Sequence, residues 1–186
     1  MAKVSYPAPR LVDVVVVCDP KQSITHGHAL YQHTVVLTLG PNDILMPDLR
    51  RLIAVFHHEL SHVARIKSVG YGHTLGEAVV TEGIGIAVEE EFGGDIAQWA
   101  HFSGANHEKP TIQRFITEQG SADYDHDEWF FGGGELEPAA GYKLGYRIVH
   151  VYCVGHNIYP SKLYATTASE ILSNSLIDLV PSINHD

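Results

Sequence analysis

The sequence predicts a mostly helical α+β domain with a small antiparallel sheet at its N-terminal end. Two β-branched runs, Leu11–Cys18 and Thr34–Leu39, open the chain, and such side chains suit a pleated surface better than a helix. From residue 47 onward, apolar residues recur at three- and four-residue steps between caps and glycines, which is the helical period. At 186 residues the chain has the length of one domain and can bury a real core. A strand-rich arm over 1–46 would precede a helical part over 47–186.

Residues 1–10 carry Pro7 and Pro9 and read as an extended arm. Leu11–Cys18 reads as a buried strand, ended by Asp19-Pro20. Ser23–His33 reads as a loop. Its His26, His28 and His33 could bind a metal, but their spacing matches no closed four-ligand site. Thr34–Leu39 is the second strand, ended by the turn signal Gly40-Pro41-Asn42-Asp43.

A helix follows over about 47–67. Pro47 suits the first helical position and Asp48 the positive N-terminal end. Leu49, Leu52, Ile53, Phe56, Leu60 and Val63 form its apolar stripe; Arg65 and Lys67 fall in the last turn, with Gly70 as the stop. Within His58-Glu59-Leu60-Ser61-His62, the two histidines lie off that stripe. Residues four apart share a helix face, so both imidazoles can bind one metal ion. Glu59, next to His58, lies beside that ion, where a base taking a proton from metal-bound water has to be. His57 is one residue out of register and is not read as a ligand.

Thr74 with Glu77 three residues later is a capping box, so a second helix starts there and stops near Phe92 at Gly93-Gly94. Leu75, Ala78, Val79 and Glu82 share one face. Glu82 is thus an acid on the inner side of a helix, costly to bury unless a cation pairs with it. A zinc ion would supply that charge. Glu89, Glu90 and Glu91 sit at the negative end of the helix and read mostly as a solvated acidic face.

With these residues in place, H-E-x-x-H, nineteen intervening residues and Glu82 within Thr81-Glu82-Gly83 resemble the gluzincin zinc metallopeptidases. The chain resembles more closely a family of predicted zinc-dependent proteases, over His58–His62, Thr74–Gly94, Trp129-Phe130-Phe131-Gly132 and Gly141–Val149. The resemblance implies a zincin-like fold, Zn2+ as cofactor, His58, His62 and Glu82 as its ligands, and Glu59 as general base. It further implies an edge strand that binds the substrate backbone by strand addition. Thr34–Leu39 is the candidate, a plain core strand being the open alternative. One position departs from the pattern. Thermolysin-like enzymes carry an Asp four residues after the ligand Glu, to orient a histidine, and Ile86 stands there in this chain. The orienting partner must come from elsewhere.

Further on, Asp95–Phe102 reads as a short helix, Ser103–Pro110 as a loop and Thr111–Glu118 as a helix closed by Gly120. Ser121–Glu128, with His126 among its acids, lacks the spacing of a calcium loop and reads as a solvated loop. Gly132-Gly133-Gly134 reads as a hinge. Helices are expected from Pro138 to about Tyr152 and over Ser161–Leu172, before a polar tail, Ser173–Asp186. The Gly141-Tyr142-x-x-Gly145-Tyr146 stretch pairs two tyrosines with two glycines, each of which costs a helix ~1 kcal/mol. That cost suggests close tertiary packing. Related gluzincins take an oxyanion donor from a downstream Tyr or His. Tyr146 is the expected donor here and Tyr142 the cleft-lining residue, with His126 next in line; two core tyrosines are the plain alternative.

Twelve Lys and Arg stand against 22 Asp and Glu, a net charge of −10, which argues against nucleic acid or an anionic membrane as partner. The two cysteines, Cys18 and Cys153, read as buried small hydrophobes without a disulfide framework. No signal-peptide pattern and no apolar run of about 20 residues is present, so the cytoplasm is the expected compartment. The expected function is zinc-dependent hydrolysis of a peptide or protein substrate. A zinc hydrolase acting on a non-peptide ester or amide, and a metal-stabilised peptide-binding module, are the alternatives. Glu59 argues against the last, because a purely structural site needs no acid there and prefers a fourth protein ligand.

Overall fold

A computed structural model describes residues 12–21, 25–95 and 100–179. The arm expected over 1–10 lies outside them, as do the start of the histidine-rich loop, half of the helix expected at 95–102 and the last residues of the tail.

Three strands, β1 (Asp13–Cys18), β2 (His26–Leu30) and β3 (Thr34–Leu39), form one sheet in the order β1-β3-β2. β2 and β3 make an antiparallel hairpin, from Leu30↔Thr34 to His26↔Thr38, around a turn in which Tyr31 takes φ 59°. β1 lies parallel on the other side of β3. The sheet is therefore mixed, not antiparallel as expected. The segment read as a histidine-rich loop supplies the third strand, and that strand separates the two β-branched runs along the chain.

This order changes two expectations. β3 is the central strand, with Val35, Val36 and Leu37 buried, so Thr34–Leu39 is no edge, and among the described residues β2 takes that place. β1 is not buried: Val14, Val15, Val16 and Val17 are 43–56 % exposed and Cys18 is exposed. The helix under the sheet packs on β2 and β3 and leaves β1 largely uncovered.

That helix is α2 (Leu49–Ser68), preceded by the short α1 (Pro41–Leu45) where only a turn was expected. Asp48 is its N-cap and accepts from the amides of Arg50 and Arg51 at 3.0 and 3.3 Å, satisfying two donors that no helix can pair internally. The first half of the expected stripe does not bury; Leu49 is 66 % and Ile53 50 % exposed. The buried side carries Ala54, Val55, Glu59, His62 and Val63 instead, because α2 is held between the sheet and the next helix.

α3 (Leu75–Glu91) is that helix. The capping box is present in both directions, Thr74 accepting from Glu77 and Glu77 from Thr74. Of its residues from Leu75 to Val88 only Glu77 escapes burial, as befits a helix that is apolar nearly all round. Around it pack α4 (Ala105–Glu118), α6 (Ala140–His156) and α7 (Ala168–Leu179), with the short α5 (His126–Phe130) against α6. α4 begins ahead of Pro110 and carries it inside. The helix expected over 161–172 is a 3-10 turn, Pro160–Ala165, followed by α7, which continues through residues read as tail. Arg65, 2 % exposed, straps that turn to α2 by donating to the Leu163 and Thr166 carbonyls at 3.0 Å each. Cys153 is buried in α6, as expected. Among the described residues no helix is long and apolar enough to cross a membrane.

α3 and α6 touch backbone to backbone. A Cβ at Gly145 would collide with the Val79 carbonyl oxygen, and one at Gly83 with the Gly145 backbone. The helix-weakening glycines are thus required by close approach. Gly145→Val should force the helices apart and lose about 2 kcal/mol or more in urea unfolding, as overpacking of a tight core does. Gly155→Ala, on the same helix in open space, should lose nothing. Equal stability of the two variants would contradict this packing.

Candidate metal centre

α2 presents His58 and His62 one turn apart toward α3, and α3 presents Glu82 back toward them. His58 Nε2 and His62 Nε2 lie 3.6 and 3.5 Å from Glu82 Oε2. These three ligand atoms lie within 4.8 Å of one another. Those spacings exceed the usual 2.7–3.2 Å of N–H···O hydrogen bonds. They match the ~3.4 Å between ligand atoms set tetrahedrally ~2.1 Å from one ion. The three side chains expected as ligands are therefore brought together, in an arrangement that fits zinc.

The electrostatics of the cluster call for a cation. Burial opposes charge on Glu82, yet the facing His62 and His58 hold its carboxyl well below the ordinary range. Burial likewise opposes charge on His58, but Glu82 and Glu89 outweigh it and hold the imidazole up at about 10. A divalent ion would take the place of that shared proton.

The partner that sequence reading could not locate is Glu89. Its Oε2 lies 3.2 Å from His58 Nδ1. A carboxylate only accepts, so Nδ1 carries a hydrogen, and Nε2, on the Glu82 side, is the nitrogen whose lone pair a metal ion would take in place of its proton. Glu89 stands seven residues after Glu82, two helical turns on and so on the same face of α3, and that spacing was the available signal. Each acid of the triplet, read as mostly a solvated face, has a partner, although Glu90 is exposed. Glu90 Oε2 accepts from the Tyr146 hydroxyl at 2.8 Å, and Glu91 accepts from the Ser161 amide and hydroxyl at 3.0 and 2.9 Å. Between Glu82 and Glu89, Gly85 leaves room for the imidazole: a Cβ there would sit 2.5 Å from His58 Nε2. His57 points elsewhere and stacks on Phe92, with ring centroids 3.5 Å apart.

The triad opens onto a cleft of about 1140 Å³. Glu59 lines it, 5 % exposed, with Oε2 buried and, among the described residues, lacking a hydrogen-bond partner. Such an atom is costly unless something arrives to use it. Residues Thr25 to Ala29, including all but the last residue of β2, form one wall. Gly27 passes so close to Glu59 that a Cβ would lie 2.6 Å from its Cγ. His26 and His28 are exposed along this strand, outside the cluster of three.

Two tyrosines line the cleft, Tyr71 and Tyr142. Tyr71 was missed in the sequence; it lies between Gly70 and Gly72, both at positive φ, in the α2–α3 connection, and its hydroxyl donates to Glu82 Oε1. Burial and the nearby Glu82 push both phenols upward, with Glu59 acting in the same sense, so both remain hydrogen-bond donors at neutral pH. Tyr146 does not line the cleft. It shares a face of α6 with Tyr142, but its hydroxyl, expected as the oxyanion donor, donates to Glu90 at 2.8 Å. His126 packs on Phe130 at 4.7 Å and is not among the residues that line the cleft.

Over residues 14–173 the chain matches a family model described as "Predicted Zn-dependent protease" (DUF2268). No curated protein and no solved structure matches it. The match spans the sheet, the α2–α3 pair that carries the triad, and most of the helices packed around them, and on that extent the chain belongs to the family of predicted Zn-dependent proteases.

Proposed function

We propose that the chain hydrolyses peptide bonds with a zinc ion held by His58, His62 and Glu82, in the manner of a gluzincin with a zincin-like fold. The observation that carries this reading is the meeting of the three ligand atoms beside the buried, unpartnered Oε2 of Glu59. Among the described residues the cluster has three members, which leaves a coordination position for water, the pattern of catalytic rather than structural zinc. Zinc bound there would lower the pKa of a water to about 7 and polarise a carbonyl.

The other tasks fall to the chain's own side chains. Glu59 accepts the proton of the attacking water and returns it to the leaving amine. Glu89 fixes the tautomer and plane of His58. The Tyr142 hydroxyl, kept protonated by burial, donates to the carbonyl oxygen as negative charge develops on it. Tyr71 holds the second oxygen of Glu82, leaving Oε2 for the ion. A peptide is favoured over a small ester because the cleft exceeds the ~300–1,000 Å³ typical of small-ligand pockets. Its wall is also an edge strand, β2, which can pair with an extended backbone.

Two experiments test these roles. Glu59→Gln should keep its zinc, by elemental analysis, and lose ~10²–10⁴ in turnover on a peptide library; a variant of undiminished activity would remove Glu59 as base. Tyr142→Phe should lower kcat by ~10²–10³. Tyr146→Phe should keep kcat and lose only ~1 kcal/mol of stability with its bond to Glu90. The opposite pattern would return the donor role to Tyr146.

A further inference from the structure

The cleft carries two cations that, among the described residues, pair with no carboxylate. Arg50 and Arg51 both line it, on the first turn of α2. The chain has 12 Lys and Arg against 22 Asp and Glu, so acids outnumber the cations that could pair with them. Arg114 and Lys143 are taken by Glu118, Glu128 and Glu137, Arg147 by Glu108, and Arg65 by carbonyls. Among the described residues neither Arg50 nor Arg51 has a carboxylate within ion-pairing distance. The acids nearest them along the chain are engaged: Asp48 by two helix amides and Asp43 by the Thr25 hydroxyl at 2.5 Å. Arg51 spends one N–H on the Thr25 carbonyl at 3.1 Å. A guanidinium has five, in a planar fork suited to a carboxylate.

β2 and the residue before it supply a ruler along the cleft. Gly27 lies against Glu59, beside the triad, and Thr25 lies against Arg51. Those two positions are two residues apart, ~6.6 Å along an extended chain. A peptide running beside β2 with its reacting bond at Glu59 therefore brings the group two residues away to the arginines.

We propose that Arg50 and Arg51 form a subsite for a carboxylate of the substrate, two residues from the bond that is cut. The proposal rests on the peptidase reading above. The carboxylate is an acidic side chain or the C-terminal carboxylate of the peptide; the chemistry at the guanidinium fork is the same.

The test uses zinc-loaded protein and fluorogenic nonapeptides blocked at both ends, with one Glu moved through the sequence and Gln counterparts for each. A second series leaves the C-terminus free or amidated. The expected result is cleavage two residues from the Glu, with kcat/KM about tenfold above the Gln peptide. In Arg50→Gln/Arg51→Gln that ratio falls to near one. Arg50→Gln alone, which removes no hydrogen bond of the fold, lowers it severalfold, and Arg50→Glu/Arg51→Glu shifts preference to Lys at the same position. If the terminus is the ligand, cuts fall two residues from a free C-terminus and amidation abolishes the preference. A wild-type ratio near one in both series, or a ratio the variants leave intact, overturns the subsite while the peptidase reading stands. Binding of the same peptides to Glu59→Gln by fluorescence anisotropy separates the two claims further. Preference for Glu in binding with no cleavage by wild type keeps the subsite and sinks the peptidase reading. No binding and no cleavage overturns both.

Discussion

The structure depends on one buried carboxylate. Glu82, 8 % exposed, sits on the most enclosed helix of the chain with two imidazoles opposite it. A lone carboxylate there would be neutral or would unfold its surroundings. Instead α2 and α3 cross so that His58 and His62 meet it. That crossing fixes much else. Gly85 has to be bare for the imidazole to fit, and Gly83 has to be bare for α6 to approach from the other side. α3 is thereby clamped from both flanks, and the cleft is lined by residues of β2, α2 and α3 around the triad.

Charge around the triad is graded rather than random. Glu82 faces the histidines directly, Glu89 reaches the far side of His58, and Glu90 and Glu91 tie down Tyr146 and Ser161. Four acids on one helix would repel one another if each were not assigned a donor. The first two form the field in which a divalent cation is stable. The last two hold α6 and the 3-10 turn in place around it, so the acidic end of α3 serves both the site and the fold.

Local signals in the sequence carried well. The Thr74–Glu77 capping box set the start of α3 because its bonds are made within four residues. The four-residue step between His58 and His62 set their shared face for the same reason. What failed depended on neighbours remote in sequence. β2 has no β-branched residue, so His26-Gly27-His28-Ala29-Leu30 carries no strand signal and becomes a strand only through pairing with β3. The four valines of β1 read as core, yet the order of the sheet leaves them on an uncovered outer strand. Tyr142 and Tyr146 cannot be ranked from spacing, since they share a face of α6. The contact of Gly145 with Val79 and Gly83 sets how α6 lies on α3, with Tyr142 at the cleft and Tyr146 at Glu90.

The central claim is that one zinc ion sits between α2 and α3 on three side chains. A crystal grown with zinc and recorded at the zinc absorption edge tests it directly. The account predicts one anomalous peak per chain about 2.0–2.2 Å from His58 Nε2, His62 Nε2 and a carboxylate oxygen of Glu82, with Glu89 still on His58 Nδ1. A peak on the exposed His26 and His28 with none at the triad would contradict it. So would a triad closed on itself by hydrogen bonds in the presence of excess zinc.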